Sequence, residues 1–164
     1  MHIDKAEQKL KGERMEIENK MARQIKDFEQ KIQDVRNDVK SFESESNPKK
    51  AQVNVDKIES IKQTIKEMNK EKEQIHIQQV DLQMGQGEYS VLHVLKKDIE
   101  PYDKLWKLQL EYSAKVSKAW KTESLSKQIP DDIEADWKKM NSETMKLVQK
   151  FEGNSKLDKP KSVV

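Results

Sequence analysis

Residues 88–120 read EYSVLHVLKKDIEPYDKLWKLQLEYSAKVSKAW, and after a polar break residues 129–151 read IPDDIEADWKKMNSETMKLVQKF. All three tryptophans (Trp106, Trp120, Trp137) and all three tyrosines (Tyr89, Tyr102, Tyr112) lie here, whereas the preceding half has only Phe28 and Phe42 as aromatics. Large aromatic side chains dominate core and interface energetics, so the tertiary structure is expected to be decided in this stretch. Leu92, Leu95 and Ile99 make a short helical face. Pro101 suits a kink or the first turn of a further helix. Tyr102, Leu105, Trp106, Gln109, Tyr112, Val116, Ala119 and Trp120 then recur at threes and fours, the helical period. KTESLSKQ reads as a loop, and IPDDIE opens the last helix, with Asp131 three residues before Glu134 in the manner of a capping box. The apolar face of that helix is Ile133, Trp137, Met140, Leu147, Val148 and Phe151.

Moving toward the N-terminus, MGQGE at 84–88 reads as a helix stop. Before it, Ile58, Ile61, Ile65, Met68, Ile75 and Leu82 form an amphipathic seam from about Val53 to Leu82, interrupted by Lys72 and Gln79. Earlier still, a seam runs through Ile3, Leu10, Ile17, Met21, Ile25, Phe28, Ile32, Val35, Val39 and Phe42. From Met21 onward its spacing is that of a heptad. The step from Ile17 through Met21 to Ile25 has the spacing of a stutter, and Gly12 weakens the first turns. Ser44, Ser46, Asn47 and Pro48 break the helix at 44–50. Each helix alone would expose an apolar stripe. Two helices joined by a short break most simply fold back as an antiparallel hairpin, with pairing to another chain as the competing solution.

The expected fold is therefore all-α. Residues 1–84 form coiled-coil-like helices with a break at 44–50, residues 85–152 form a small helical bundle, and the tail 153–164, with little to bury, is expected to be disordered.

Composition narrows the function. With 34% hydrophobic and 38% charged residues, the chain suits long solvated helices better than a thick core. Thirty-two basic and 30 acidic residues are interspersed, and Arg occurs only at 14, 23 and 36. Arg is the preferred residue for bidentate phosphate and guanine contacts, so a nucleic-acid partner is not expected. The absence of cysteine removes disulfide and thiolate chemistry and fits a reducing compartment. No apolar run approaches the roughly 20 residues that span a bilayer, and the first residues lack the apolar core of a signal peptide. Membrane insertion is not expected, and a soluble intracellular protein is.

No catalytic, cofactor-binding or metal site is expected. Gly85-Gln86-Gly87 lacks the lysine and the third glycine of the phosphate-binding loops. His2, His76 and His93 have no metal-ligand spacing. Asp131 and Asp132 lie where a helix begins, which favours electrostatic capping over acid–base work. The methionines on the seams, Met21, Met68 and Met140 among them, read as core filler.

At Asp98–Trp106 the chain acquires a family likeness. DIEPYDKLW, preceded by EYSVLHVLKK, resembles the N-terminal segment of dynein heavy chains that leads from the tail into the linker domain, the axonemal type most closely in pattern. Asp81-Leu82, Gly85, Glu88-Tyr89, Ile99 through Trp106 and Lys118–Trp120 stand as landmarks of that segment. Ile133-Glu134, Trp137, Lys146-Leu147 and Phe151 resemble those of the family's next helix. The likeness covers about residues 75–151; the earlier part agrees in character alone. It implies a non-catalytic structural segment that joins tail to linker in a microtubule-based motor of the cilium or flagellum axoneme, within the cytoskeleton. Its partners would be other dynein subunits or the rest of the heavy chain, with self-association through the coiled coil as a further possibility. No ATP site, stalk or motor stroke carries over, because the family's matching parts lie beyond this stretch. The residues expected to anchor a helix–helix core are Tyr102, Leu105, Trp106, Tyr112, Trp120 and Trp137. The alternative is a stand-alone coiled-coil adaptor whose seam at 21–42 recruits a partner helix.

Overall fold

The computed structural model describes residues 2–85, 87, 89–121, 130–152, 160 and 163, with residues 2, 117–121 and 130–133 described by backbone alone. Among these the chain is all-helical, without a strand. Its four helices are α1 (His2–Ser41), α2 (Ala51–Asp81), α3 (Val91–Lys121) and α4 (Pro130–Phe151). Single 3-10 turns cover Phe42–Ser44 and Pro48–Lys50.

The heptad decides the first pairing. Met21, Phe28, Ile32, Val35 and Val39 are buried on α1 and Phe42 in the 3-10 turn after it, and Ala51, Val55, Ile58, Ile61, Ile65, Met68 and Ile75 are buried on α2. Ion pairs across the seam, Lys31–Glu71 at 2.9 Å and Asp38–Lys57 at 3.4 Å, fix the helices antiparallel. Met21 and Leu82 line one groove at the open end, and Lys57 Nζ lies 5.4 Å from the centre of the Phe42 ring at the closed end. The hairpin turns where the sequence loses helix propensity. Asn47 caps the second 3-10 turn by accepting from the Lys49 N–H at 3.1 Å, with Pro48 in its first position. Glu45 accepts from the Asn47 N–H and pairs with Lys50, and these contacts, the Asn47 bond first, hold its carboxyl below the ordinary range.

The pairing stops short of the N-terminus. Ile3, Leu10 and Ile17 belong to the same seam, yet all three are exposed. Because α2 ends at Asp81, level with Met21, the first nineteen or so residues of α1 project about 28 Å beyond it at 1.5 Å per residue. The stutter at Ile17–Met21–Ile25 falls at the point where the pairing ends.

The turn into α3 differs from the glycine stop that the sequence suggests. The residue in left-handed conformation is Gln83, at φ 54°, two residues before Gly85. The Met84 N–H donates to the Gln79 carbonyl and the Gln83 N–H to the Val80 carbonyl, the bond pair of a Schellman motif. Downstream, Tyr89 clasps three segments together. Its ring meets Phe28 of α1 edge-on at 5.1 Å and stacks on His76 of α2 at 5.5 Å. His76 Nε2 lies 3.1 Å from the Gly87 carbonyl. A Cβ on Gly87 would stand 2.8 Å from the Tyr89 ring, so the close approach requires glycine there. His76 is thus a structural histidine.

Pro101 neither opens a helix nor ends one; α3 runs through it without interruption. Leu92, Leu95, Ile99, Tyr102, Leu105 and Trp106 on α3 are buried and join the hairpin core, so residues 21–82 and 89–106 share one apolar interior. Helix α4 contributes Leu147 and Phe151 to that interior. The expected capping role of Asp131 lies outside the described side chains. So does most of the tail. The two tail residues that are described do find burial: Pro160 is fully buried and Val163 is half-buried against the core. Composition alone did not anticipate this.

Candidate functional site

The six expected anchors separate into two groups. Tyr102, Leu105 and Trp106 are buried, Trp106 completely so. Tyr112 and Trp137 are 54% and 65% exposed, and neither is a core anchor. The side chain of Trp120 lies outside the described residues. The correction has a geometric cause. Ion pairs Lys62–Asp103 (2.6 Å) and Glu59–Lys107 (2.7 Å) set α2 antiparallel to α3. This register brings the start of α2 level with the region around Lys115, so Tyr112 is exposed because it stands on the face of α3 turned to the α4 cleft, with Trp137 across it.

The inner part of α3 is built as a lock. Tyr102 lies 5.7 Å from Phe42 between ring centres, joining α3 to the end of α1. Burial, aided by the charges of Glu43 and Asp98, pushes the Tyr102 phenol up to about 12, so the ring is neutral at physiological pH. Trp106 Nε1 has no hydrogen-bond partner among the described residues, and the indole therefore acts through apolar packing. On the flank of the same helix, Asp103 pairs with Lys62 of α2 and with Lys107 one turn on (3.0 Å), and Lys107 reaches back to Glu59. Burial pushes the Asp103 carboxyl up, but hydrogen bonds from Lys62 and Lys107 outweigh it and leave the group below its ordinary value. The Glu59 contact, then Asp103, holds Lys107 above its own. The sequence reading missed this network. Its only local trace is the Asp103–Lys107 spacing of four, because Lys62 and Glu59 belong to a different helix.

The outer part of α3 faces α4 across two clefts. One holds about 330 Å³ and is lined by Leu105, Leu108, Tyr112, Trp137, Met140 and Val163, together with polar side chains. The other, about 420 Å³, has Leu108 and Leu147 among its lining and a charged rim that includes Lys104, Lys107, Lys146 and Lys150. Lys115 bridges the helices, 3.0 Å from both Glu111 and Asp136.

Among the described residues, no group of three His, Cys, Asp or Glu could hold a metal ion, and no helix is long and apolar enough to cross a membrane. The acidic and basic groups that do converge, at Asp103, neutralise one another. Among the described residues, the seam at the start of α1 and the cleft between α3 and α4 both leave apolar side chains exposed. Compared with protein-family models, with curated proteins and with solved structures, the chain gives no match.

Proposed function

We propose that this chain is a non-catalytic helical strut, the tail-to-linker segment of a dynein heavy chain of axonemal type. The observation that carries the reading is the position of the landmark residues. In DIEPYDKLW, the apolar members Ile99, Tyr102, Leu105 and Trp106 are buried in the core shared with the hairpin, Leu105 also lining the cleft toward α4, while Asp103 makes the cross-helix ion pair. A motif whose apolar members and Asp103 fasten one long helix to its neighbours suits a part that must transmit load without bending. Helix α3, about 46 Å long at 1.5 Å per residue, leads away from that fastening toward α4. No step of chemistry is assigned to it, and the energy for movement would come from elsewhere in the motor.

The test is to sequence the transcript that encodes the chain and to locate the protein by immunoelectron microscopy. A reading frame that continues into a linker and a phosphate-binding loop, with label on axonemal dynein arms, is the expected result. A frame without these, or label away from the axoneme, would refute it.

A second reading, a stand-alone coiled-coil adaptor, loses the seam at 21–42 expected to recruit the partner, because the fold buries it, but is favoured by one observation: Ile3, Leu10 and Ile17 are exposed along the projecting part of α1. In that reading Leu10→Glu would abolish partner binding and leave the melting temperature unchanged. Binding that survives the substitution would exclude the arm as the adaptor surface.

A further inference from the structure

Helix α1 runs unbroken from His2 to Ser41, and its apolar stripe continues past the point where its cover stops. Ile3, Leu10 and Ile17 each stand eighteen residues before Met21, Phe28 and Val35. Eighteen residues are five whole turns at about 3.6 per turn, so the two sets share one face of the helix. The hairpin buries that face at Met21, Phe28 and Val35 and leaves it exposed at Ile3, Leu10 and Ile17. At the junction, Ile17 and Met21 of α1 and Leu82 at the end of α2 line an open groove of about 310 Å³. The exposed stripe is thus continuous with the interface inside the hairpin. We propose that this projecting arm pairs with the arm of a second copy of the chain, antiparallel, about a two-fold axis beside Leu10.

Spacing, charge and the position of α2 identify the occupant and its direction. Ile3 and Ile17 lie seven residues to either side of Leu10. One two-fold axis therefore sets Leu10 beside its own copy and each Ile3 beside the other arm's Ile17, as a self-complementary contact requires. Glu7 and Arg14, also seven apart, share one flank of the stripe. Reversing the second arm brings each Arg14, which also holds Glu18 of its own helix at 2.9 Å, opposite the other copy's Glu7. Residues 4–11 carry three basic and two acidic side chains, and residues 13–20 carry two basic and three acidic, so the opposed halves attract. Helix α2 excludes the parallel arrangement. A parallel α1 would continue past Met21 into the space that α2 fills, whereas an antiparallel one carries its own hairpin away beyond the tip of this arm. Six large apolar side chains meeting along the arms make a small contact, so the association is weak and concentration-dependent. The inference does not depend on the dynein reading, and it gives the arm a different occupant from the adaptor reading.

Sedimentation velocity of the full chain over a concentration series tests it, with melting temperatures of dilute samples as the control for folding. Wild type should pass reversibly from monomer to dimer. Leu10→Glu, which sets two carboxylates side by side at the axis, should weaken the dimer at least about tenfold. Glu7→Arg and Arg14→Glu should each weaken it several-fold alone, and an equal mixture of the two should regain wild-type association. All three substitutions fall on exposed side chains and should leave the dilute melting temperature unchanged. Because the chain has no cysteine, single spin labels at Gln8→Cys and Ser46→Cys report direction. The two labels at position 8 should lie within about 30 Å of each other. Those at position 46, on the hairpin turns, should be more than about 90 Å apart at 1.5 Å per residue, beyond dipolar range. A wild type that stays monomeric at every concentration would leave the face to a foreign helix and overturn the proposal. Undiminished dimerisation of Leu10→Glu would place the contact elsewhere, and a short distance at position 46 would make the pair parallel; either overturns it. So would a mixture no better than its components, or a melting temperature that falls in step with the loss of dimer.

Discussion

Trp106 and Trp137 stand on successive helices, each in an apolar stripe of helical period, yet one is wholly buried and the other is 65% exposed. The difference lies in what surrounds each helix. Around Trp106, α3 runs beside α2 and touches the end of α1, with Tyr102 against Phe42 and Asp103 against Lys62. Around Trp137, α4 has α3 beside it among the described residues, bridged by Lys115 to Asp136, and a cleft opens between them. An amphipathic stripe therefore states which face of a helix is apolar. Whether a second surface reaches that face depends on how far the neighbouring helices extend. The same contrast holds along α1, where Phe28 is covered and Ile3 is bare.

The contrast is tested most severely by truncating both tryptophans. Trp106→Ala should cost about 3–5 kcal/mol, the usual loss for a buried Trp. A domain of this size is stabilised by only about 5–15 kcal/mol, so this variant should begin to unfold near body temperature. Because Trp106 Nε1 bonds to nothing described, Trp106→Phe should recover much of the loss. Thermal melts check both statements.

A smaller effect is expected at Asp103. Asp103→Asn should cost about 1–2 kcal/mol, because Lys62 and Lys107 lose their shared carboxylate while remaining partly solvated. Its pH dependence has a definite sign. The folded carboxyl is held below its ordinary value, so the folded chain binds a proton there less readily than the unfolded chain does. That stabilisation is fully present above the ordinary carboxylate range and disappears as the pH falls through the folded value. Denaturant melts over acidic pH should show a shallower loss of stability in the Asn variant than in wild type. Parallel curves would remove Asp103 from the lock.

At Gln83 the expected change is about 1 kcal/mol in the opposite direction. A non-glycine residue in left-handed backbone pays roughly this much, so Gln83→Gly should raise stability and the melting temperature. Smallest of all is Trp137→Ala, expected within about 0.5 kcal/mol of wild type as for other surface changes. A loss there as large as that of Trp106→Ala would erase the distinction between the two regions.

Much of this fold is legible in the sequence because its signals are local. The heptad from Met21 to Phe42, the break at Asn47-Pro48 and the seam from Ile58 to Leu82 each set out a helix or its end, and connectivity sets the hairpin. What the sequence conceals is register. Nothing near Tyr112 or Trp137 says that the first turns toward the α4 cleft and away from α2, or that the second lies across that cleft, and so helical spacing and aromatic content together suggest anchors. Pro101 misleads for a related reason. Its local preference is for a helix start, but Leu95 and Ile99 before it and Tyr102 after it are buried in the same core, and burial on both sides favours a continuous helix over a break. The turn at Gln83 is not legible because Gln has no preference for left-handed backbone, whereas Gly85 and Gly87, which favour it, stand two and four residues further on.

Native-state hydrogen exchange along α3 tests the account's central claim most directly, since one continuous helix passes through both regions. Amides from about residue 95 to 108 should exchange only by global unfolding, with protection matching the stability measured by denaturant. Amides from about 111 to 116 should exchange far faster, through local opening that leaves the hairpin intact. Uniform protection along the helix, or stronger protection in the outer part, would contradict the claim that α3 is fastened to the hairpin around Trp106 and is held more loosely from Tyr112 onward, where its side chains are mostly exposed.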